Sequence, residues 1–528
     1  MEETPIIAGN AENDSVSTTS DISSKVKQAS KAYLKGPFDE SELVIGLVGA
    51  VGTEFGKVID LIRTCLAHYK YEVQVIRVSK DVIEECFNFG ESQNSEYERI
   101  SQLMDLGNTL RERSKDNAVL ALGSAAAIYE KRPKDGHDSN RRVHRPKTAY
   151  IISSLKHPEE IACLRQIYAH GFFLMGVYSD EVDRKAYLVN RKQLTDSEAD
   201  KLIARDMDEE LAHGQSTRET FHLSDFFVHM GDNDSRITSD IHRILNLMFG
   251  EPLTPPTFDE FAMFMAFSSS LCSADLSRQV GAVIAKDKDI IGTGANDCPK
   301  YGGGHYWPEY DTGKKTTMDV EKGRDYKIGY DSNKREKDII IRDIVERLGH
   351  TGIAENMITD ALKGCRIGDI TEYGRVVHAE MDALLSCARS GVSPIGGVLY
   401  CTTFPCHNCA KHIIAAGIKR VVYIEPYSRS KAEELHKDSI HVGFNTEPDF
   451  VAFEPFMGVG PRRFFDLFSM RLGSGYPIKR KDNNGNAVKW DASRDARLRT
   501  QLAPCSYIDI EDVASKLFNE LIEELRNE

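Results

Sequence analysis

The sequence lacks several features that would assign it to a membrane or a secretory class. None of its apolar runs approaches the roughly 20 residues that a membrane-spanning helix needs, and its first 20 residues contain neither a basic segment nor an apolar core of the kind found in secretory signals. Eleven cysteines, an odd number in a chain of 528 residues, argue against a disulfide framework. These absences predict a protein of the reducing cytoplasm in which some cysteines serve a metal or a reaction.

The chain also lacks an excess of positive charge. Lys and Arg number 67 against 81 Asp and Glu, which gives a formal net charge of −14. Such a chain does not attract phosphate backbones over its whole surface. A site for a nucleotide or a nucleic acid must therefore be a local basic pocket.

What is present is an ordinary globular composition, with 41% apolar and 28% charged residues. This balance excludes collagen-like, fully disordered and coiled-coil chains, and the length favours two or three domains. A break at Gly250–Thr257 (GEPLTPPT) carries three prolines, which interrupt helices. The predicted divisions are a polar tail over 1–37, a first domain over 38–250, a second over 251–475 with an insertion at 298–370, and a C-terminal extension with a helix over 476–528.

The first domain alternates apolar runs with helical patterns, which predicts a parallel α/β sheet. The predicted strands are Leu43–Val48, Glu72–Val78, Ala149–Ile152 and Phe172–Val177. A glycine-rich loop follows the first strand and opens a helix, where backbone N–H groups can cradle phosphate. The candidate nucleotide-binding residues in this loop are Gly49, Gly52, Gly56 and Lys57.

The glycine-rich loop resembles the P-loop of nucleoside and nucleotide kinases. No register satisfies G-x-x-x-x-G-K-[ST], because Val58 stands where the magnesium-binding hydroxyl belongs, and Ser153 and Ser154 stand where kinases place an acidic residue. The resemblance therefore implies a kinase-like fold that binds a nucleotide without transferring phosphate. The alternative is a relic that serves packing alone.

The second domain carries the residues that indicate chemistry. Cys406 and Cys409 are three residues apart at the predicted start of a helix, so both lie on one face and can hold one ion. His378, which opens an earlier helix, adds a third ligand. Three protein ligands leave the fourth position of zinc open, as catalytic zinc sites do. One zinc in this domain is the predicted cofactor.

Glu380 is the predicted catalytic residue. It follows His378 by two residues, about 200° around a helix, and so does not share a helix face with that ligand. At the start of a helix it can instead take a proton from the attacking water and deliver it to a ring nitrogen and a leaving amine. The pattern H-x-E…P-C-x-x-C is the signature of zinc nucleobase deaminases.

The residues around this pattern resemble the deoxycytidylate deaminase family. Arg278–Ile284 (RQVGAVI), Thr293–Asp297 (TGAND) and Lys419–Tyr427 (KRVVYIEPY) look like strands and loops of that family. The resemblance implies a deaminase fold of α/β/α layers around a mixed five-stranded sheet, and removal of the 4-amino group of a cytosine nucleotide. It also implies substrate contacts by Asn296, the Ala379 peptide, Arg278 and Tyr427.

A kinase-like domain followed by such a deaminase is similar to the bacterial anti-phage dCTP/dCMP deaminases. That resemblance implies depletion of deoxycytidine nucleotides during infection, homo-oligomers, and restraint by a small RNA until a phage-derived trigger arrives. It implies neither membrane nor DNA as a partner. The choice between dCTP and dCMP stays open.

Two other functions compete with a nucleotide deaminase. A nucleic-acid deaminase would need a basic groove with stacking aromatic residues. The net charge of −14 and the presence of only two tryptophans in the sequence argue against such a groove. A nucleotide-sensing regulator would not need the complete set of His378, Glu380 and two cysteines. A second zinc site is a further hypothesis, with Cys298, His305 and Cys365 of the insertion as its ligands.

Overall fold

The computed structural model describes residues 38–87, 95–134, 142–208, 216–231, 234–350, 353–362, 365, 367, 370, 372–426, 430–444, 448–502 and 504–527. The chain divides into two compact units. The first unit comprises Met1–Leu223, Met230–Thr254 and Phe465–Glu528, and the second comprises Ser224–His229 and Pro255–Phe464. The predicted tail 1–37 and the predicted substrate contact Tyr427 lie outside the described residues.

The first unit is built on parallel strands, as its alternating pattern predicts. Its strands are β1 (Leu43–Val48), β2 (Glu72–Arg77), β3 (Thr148–Ser153) and β4 (Phe172–Tyr178). They lie in the order β4-β1-β3-β2, and each neighbouring pair is parallel. All residues of β1 are buried, as expected for a strand covered on both faces.

Helices of the first unit connect and cover these strands. They are Phe55–Ala67, the π-helix Val78–Glu84, Glu85–Phe87, Glu96–Ser114, Val119–Lys131, Pro158–Tyr168, the 3₁₀ turn Ala169–Gly171, Glu181–Asn190, Asp196–Asp208, Thr217–Phe221, Asp234–Met248, Ala492–Asp495 and Pro504–Asn527. A capping box at His157 starts the helix Pro158–Tyr168, where the Glu160 side chain returns to the backbone N–H of His157.

The last helix, Pro504–Asn527, belongs to the first unit rather than to a separate extension. Tyr507, Ile508, Phe518 and Ile522 join the same hydrophobic core as β1 and β3. The Arg132 guanidinium pairs there with the carboxylates of Glu42 and Glu511, and all three side chains are fully buried. The C-terminal sequence is therefore part of the packing of the first unit.

The second unit carries a mixed sheet. Its strands are β5 (Phe226–His229), β6 (Gly281–Lys286), β7 (Asp289–Ala295), β8 (Glu309–Asp311), β9 (Thr316–Met318), β10 (Val398–Thr403), β11 (Arg420–Glu425), β12 (Ile440–Val442), β13 (Val451–Pro455) and β14 (Gly458–Val459). The main sheet has the order β12-β13-β11-β10-β6-β7. It has six strands rather than the five expected, because the short β12 pairs with β13 at one edge.

Helices lie on both faces of this sheet, as the predicted α/β/α layers require. The helices of the second unit are Phe258–Ser270, Asp325–Ile328, Ser332–Gly349, Glu355–Leu362, Ala379–Ser390, His407–Ala415, Ala432–Leu435 and the 3₁₀ turn Pro461–Arg463. A further helix, Phe464–Phe468, starts at the last residue of the second unit and continues into the first. Ala379, Ala383 and Ala410 pack in one core with Ala282 and Ile284 of β6. Alternation along a strand places Gly281 on the opposite face, where its Cα approaches the helix Phe258–Ser270.

The insertion 298–370 is an ordered part of the second unit over its described residues. It holds the β8–β9 hairpin and three helices, Asp325–Ile328, Ser332–Gly349 and Glu355–Leu362. The helix Ser332–Gly349 begins after Asp331, whose side chain accepts a hydrogen bond from the Lys334 N–H. Within the described residues, no helix combines the length and the apolarity that crossing a lipid bilayer demands.

Candidate functional site

The strand directions bring the motif residues to one edge of the sheet in the second unit. Because β7 and β10 both run antiparallel to β6, their carboxyl ends meet at the same edge. The chain leaves β10 at Thr403 and enters the helix His407–Ala415, for which Cys406 is the N-cap residue. An isolated bridge between Asp297, just after β7, and Val377 sets His378 at the same edge.

Glycines in β7 let a helix approach the sheet closely. A Cβ on Gly294 would lie 2.2 Å from the Ala379 carbonyl oxygen, and one on Gly292 would lie 2.6 Å from Cys387 Sγ. No side chain fits in these spaces, so only glycine permits this packing. The helix Ala379–Ser390, with His378 as its N-cap residue, is thereby held against the sheet.

His378, Cys406 and Cys409 form a compact set of ligand atoms. His378 Nδ1 lies 3.3 Å from Cys406 Sγ and 3.4 Å from Cys409 Sγ. A tetrahedral zinc ion with usual Zn–S and Zn–N bonds separates such atoms by about 3.5 Å. The residues therefore fit zinc, and they are the one group of this kind found among the described residues.

The three side chains also influence each other's protonation. Hydrogen bonds from Cys409 and His378 lower the pKa of the Cys406 thiol to about 3. The hydrogen bond with Cys406 raises the pKa of His378 to about 9, and the same thiolate raises the pKa of Cys409. A cation between them would compensate the negative charge that Cys406 already carries. Cys401, in contrast, is fully buried in the adjoining core, as predicted for a strand residue.

Glu380 is buried beside these ligands. Its side chain lines the same pocket as His378 and Cys406, although the residue is only 4% exposed. Burial raises the pKa of the Glu380 carboxyl above its usual range. A raised pKa makes a carboxyl a better proton acceptor, which suits a general acid and base.

The pocket has a volume of about 350 Å³, and most of the residues that line it are polar or charged. The Ala379 peptide and the Glu380 carboxyl lie in its wall, and Arg278 and Lys431 provide its positive charges. Asp325, Asp331 and Asn333 of the insertion also line it. The insertion is therefore a wall of the candidate site and not a remote appendage.

Asn296 lines the pocket, but its amide is already occupied. The Oδ1 atom accepts a hydrogen bond from the Val280 N–H at 2.6 Å, and Nδ2 donates to the Arg278 carbonyl at 2.8 Å. These bonds fix the segment that carries Arg278 at the mouth of the pocket. Direct substrate contact by Asn296 remains a prediction, and positioning of this segment is the role visible in the structure.

The sequence pattern gave no indication of several pocket residues. Asp325 pairs with Arg375 at 2.9 Å and accepts from Cys298 Sγ at 3.6 Å. Asn333 donates to the Ile370 carbonyl, which ties the insertion to the segment before His378. Asp325 and Asn333 are far from His378 along the chain, so no local pattern connects them with the site. His407, whose buried Nδ1 has no hydrogen-bond partner in the described structure, stood inside the cysteine motif and could have been found.

The proposed second zinc site is not assembled. Cys298 contacts Asp325, whereas His305 Nε2 forms an ion pair with Asp382 Oδ2 at 2.9 Å. Cys365 is exposed and bonds the Ala361 carbonyl of the preceding helix. The described structure thus gives each of the three side chains different neighbours, and their ligand atoms do not form a group that could hold one ion. Asp382 and Cys272 together raise the pKa of His305 to about 9.

Side chains of the first unit occupy part of the glycine-rich loop. The Val51 N–H donates to Asp206 Oδ2 at 2.9 Å, and Lys156 Nζ bridges Asp206 and the Gly49 carbonyl. A Cβ on Gly52, whose φ is +88°, would lie 2.7 Å from the Arg184 carbonyl. A carboxylate of the chain thus takes the N–H that a phosphate would use. Lys57 pairs with Asp234, and a Cβ on Gly56 would meet open space.

A Gly294→Ala substitution should damage the metal site without touching a ligand. The new methyl group cannot coexist with the Ala379 carbonyl at 2.2 Å, so the helix that carries His378 must move. We expect the purified variant to contain less than half of the wild-type zinc. A matched Gly349→Ala substitution, on a helix with open space around it, should keep the full metal content. Equal zinc in both variants would contradict this packing argument.

Comparisons with known proteins agree with this geometry. Residues 256–425 match the family described as "Cytidine and deoxycytidylate deaminase zinc-binding region". A deoxycytidylate deaminase of Mycobacterium phage D29 is 28% identical over 177 residues, which are 32% of this chain and 97% of that protein. ComE operon protein 2 of Bacillus subtilis is 39% identical over 92 residues, 17% of this chain and 48% of that protein.

A deoxycytidylate deaminase of Enterobacteria phage T4 is 47% identical over 55 residues, 10% of this chain and 28% of that protein. The chain thus spans about half or less of the length of the first curated relatives. A solved dCMP deaminase of cyanophage S-TIM5, in complex with dCMP and dUMP, aligns with 38% of this chain and 99% of its own. That alignment has 22% identity and a TM-score of 0.22.

Proposed function

We propose that this protein is a zinc-dependent enzyme that hydrolyses the 4-amino group of deoxycytidine nucleotides. The products are a deoxyuridine nucleotide and ammonia. The observation that carries the proposal is the joint placement of His378, Cys406 and Cys409 beside the buried Glu380 in one pocket. The match of 256–425 to a deaminase zinc-binding family supports the same reaction.

Each residue has a task in this proposal. Zinc held by the three ligands would act as a Lewis acid that lowers the pKa of a water molecule to about 7. Glu380 takes a proton from the attacking water and delivers protons to the ring nitrogen and then to the leaving amine. The Ala379 peptide lies in the pocket wall, where it can hold the base edge. The buried position of Glu380 keeps bulk water away from these proton transfers.

The pocket favours a free nucleotide as the substrate. Arg278 and Lys431 line the pocket and can meet the phosphate, and the carboxylates of Asp275 and Asp331 are also part of its lining. A nucleic-acid strand at this pocket would meet these carboxylates, which costs electrostatic repulsion. The substrate is therefore dCMP, dCTP or both, and neither is favoured by the lining.

The biological role that we infer is depletion of deoxycytidine nucleotides as a defence against phage. Support comes from the order of an α/β unit and a deaminase-like unit, which resembles the anti-phage deaminases. Within this role the enzyme works in the cytoplasm as a homo-oligomer, and an inhibitory RNA or a phage-derived trigger controls it. Expression in bacteria challenged with phage, with the dCTP and dUMP pools measured over time, tests this role.

The activity itself is tested on the purified full chain. The protein is incubated with dCMP, dCTP, CMP, CTP and single-stranded DNA, and uracil products are measured by mass spectrometry. We expect uracil from at least one deoxycytidine nucleotide and none from DNA. Uracil in the DNA alone would identify a nucleic-acid deaminase, and no product from any substrate would identify an inert regulator.

A Cys406→Ser variant should lose its zinc. A hydroxyl is a poor ligand beside a thiolate, and among the residues that the structure describes three side chains are grouped to hold the ion. We expect less than about a tenth of the wild-type zinc by elemental analysis and no detectable deamination. The control is Cys365→Ser, an exposed cysteine of the insertion. Wild-type zinc content in Cys406→Ser would remove this residue from the ligand set.

A further inference from the structure

The first unit contains a cavity that the proposed reaction does not use. We name it the Arg111 cavity; it has a volume of about 280 Å³ and lies beside the glycine-rich loop. Its walls are mainly apolar, with Phe55, Ile83, Leu103 and Met104 among them. Pockets of this composition, with a few polar groups set into apolar walls, are typical of small-molecule sites.

The position of the Arg111 cavity in the sheet is one where ligands bind. Strands β1 and β3 are neighbours, and their connections run in opposite directions across the sheet. From β1 the chain continues to β2 at one edge of this group of strands, and from β3 it continues to β4 at the other. Residues that follow β1, β2 and β3 line the cavity, namely Val51, Ser79 and Ser154. Parallel α/β sheets bind ligands at the carboxyl ends of strands at such a reversal.

The charges of the Arg111 cavity are of one sign. Arg77, Arg99, Arg111 and Lys156 line it, and its described lining includes no Asp or Glu. Three of these cations are paired with carboxylates outside the lining. Arg99 pairs with Glu84 and Glu96, Arg111 pairs with Glu160, and Lys156 pairs with Asp206. The exposed Arg77 side chain pairs with no described carboxylate. A lining of this kind in a chain with a net charge of −14 indicates an anionic ligand.

Arg111 gives an independent sign that a ligand belongs here. The residue is 1% exposed and its NH2 group pairs with Glu160 Oε1 at 2.7 Å, whereas its buried Nε makes no hydrogen bond within the described structure. A buried N–H without an acceptor destabilises the folded state. An oxygen atom of a ligand in the cavity would supply the missing acceptor, and a charge-assisted bond of this type is strong.

The neighbouring backbone leaves room for this ligand. Gly107, on the helix Glu96–Ser114, lines the cavity, and a Cβ built on it would lie 3.8 Å from Arg111 NH1 and no closer than 3.5 Å to any side chain. Glycine is otherwise unfavourable inside a helix relative to alanine. The glycine therefore keeps open a space that packing alone would fill.

We infer that the Arg111 cavity binds a nucleoside 5′-monophosphate. The phosphate meets Arg77 and Arg111, and the base and sugar lie between the apolar walls, where Phe55 offers a ring for stacking. The volume is at the lower limit for small-molecule sites, which favours one phosphate over three. The ligand thus sits beside the glycine-rich loop, whose Val51 N–H the Asp206 carboxylate already occupies. This inference does not depend on deaminase activity.

The test measures binding of dAMP, dGMP, dTMP and dCMP to the full chain carrying Glu380→Gln, which stops turnover at the other site. Hydrogen exchange locates the bound nucleotide and calorimetry gives its Kd. We expect at least one monophosphate to slow exchange in Glu96–Ser114, and its nucleoside to bind at least about tenfold more weakly. Absence of protection by all four monophosphates would overturn the inference.

Variants separate the cavity from the loop. Gly107→Leu fills the cavity and should raise the Kd at least about tenfold, and Arg77→Gln, an exposed change that spares the fold, should raise it several-fold. Arg63→Gln, an exposed arginine on the helix Phe55–Ala67, is the matched charge control. If Gly56→Leu abolishes binding and Gly107→Leu leaves it unchanged, the nucleotide sits in the glycine-rich loop and the inference is wrong.

Discussion

A Glu380→Gln variant will keep its fold and its zinc but will deaminate deoxycytidine nucleotides about 10²- to 10⁴-fold more slowly than the wild type. The reason is that the amide cannot take a proton from water, while its shape matches the carboxyl group in the buried pocket. The three ligands His378, Cys406 and Cys409 are untouched, so the metal stays.

Steady-state kinetics, elemental analysis and circular dichroism check this expectation together. Because Glu380 acts on the reacting atoms, the loss should fall on kcat, with KM changed little. Glu433→Gln, an exposed glutamate in the same unit, is the matched control and should behave as the wild type. Turnover of Glu380→Gln within a few-fold of the control would exclude the proton-transfer role.

An Arg132→Met variant will lose about 3–5 kcal/mol of the free energy of unfolding. Arg132 is fully buried between Glu42 and Glu511, and the Tyr507 hydroxyl also donates to Glu42. Removal of the guanidinium leaves two buried carboxylates without a cation, so the folded state must protonate them or admit water. Urea unfolding followed by circular dichroism measures the effect.

A triple variant tests the cause of this loss. Replacing Arg132, Glu42 and Glu511 together by methionine removes the buried charges as a set, and such replacements are often neutral or stabilising. We expect the triple variant to recover most of the stability. The exposed Arg63→Met should change it by no more than about 0.5 kcal/mol. A loss in Arg132→Met as small as that of Arg63→Met would show that the buried pairs contribute little.

Local sequence predicted much of the fold because its signals act over short distances. The run Leu43–Val48 is a strand with the predicted bounds, and the polar stretch 286–289 joins β6 and β7 in a β-hairpin. The helix Phe258–Ser270 begins directly after Thr257, which forms a capping box with Glu260. Apolar periodicity and capping residues encode such elements within one or two turns.

The predictions that failed concern residues distant along the chain. The sixth strand at the edge of the sheet, β12, is three residues long and carries almost no pattern. The residue types of Cys298, His305 and Cys365 suit zinc. In the folded insertion, however, Cys298 contacts Asp325, His305 pairs with Asp382, and Cys365 bonds the Ala361 carbonyl. Residue type alone cannot report direction in space.

The sequence by itself determined the candidate zinc ligands and the nearby carboxylate, since the spacing of H-x-E and P-C-x-x-C identifies each of these residues at a helix start. Only the tertiary structure decided what surrounds them. Asp325, Asp331 and Asn333 line the pocket because the insertion folds back on the segment before His378. The tertiary structure also decided that Asp206 accepts the Val51 N–H of the glycine-rich loop and that Arg111 lines a cavity. These contacts join residues far apart in the chain, and no local pattern specifies which distant side chains will satisfy a buried charge.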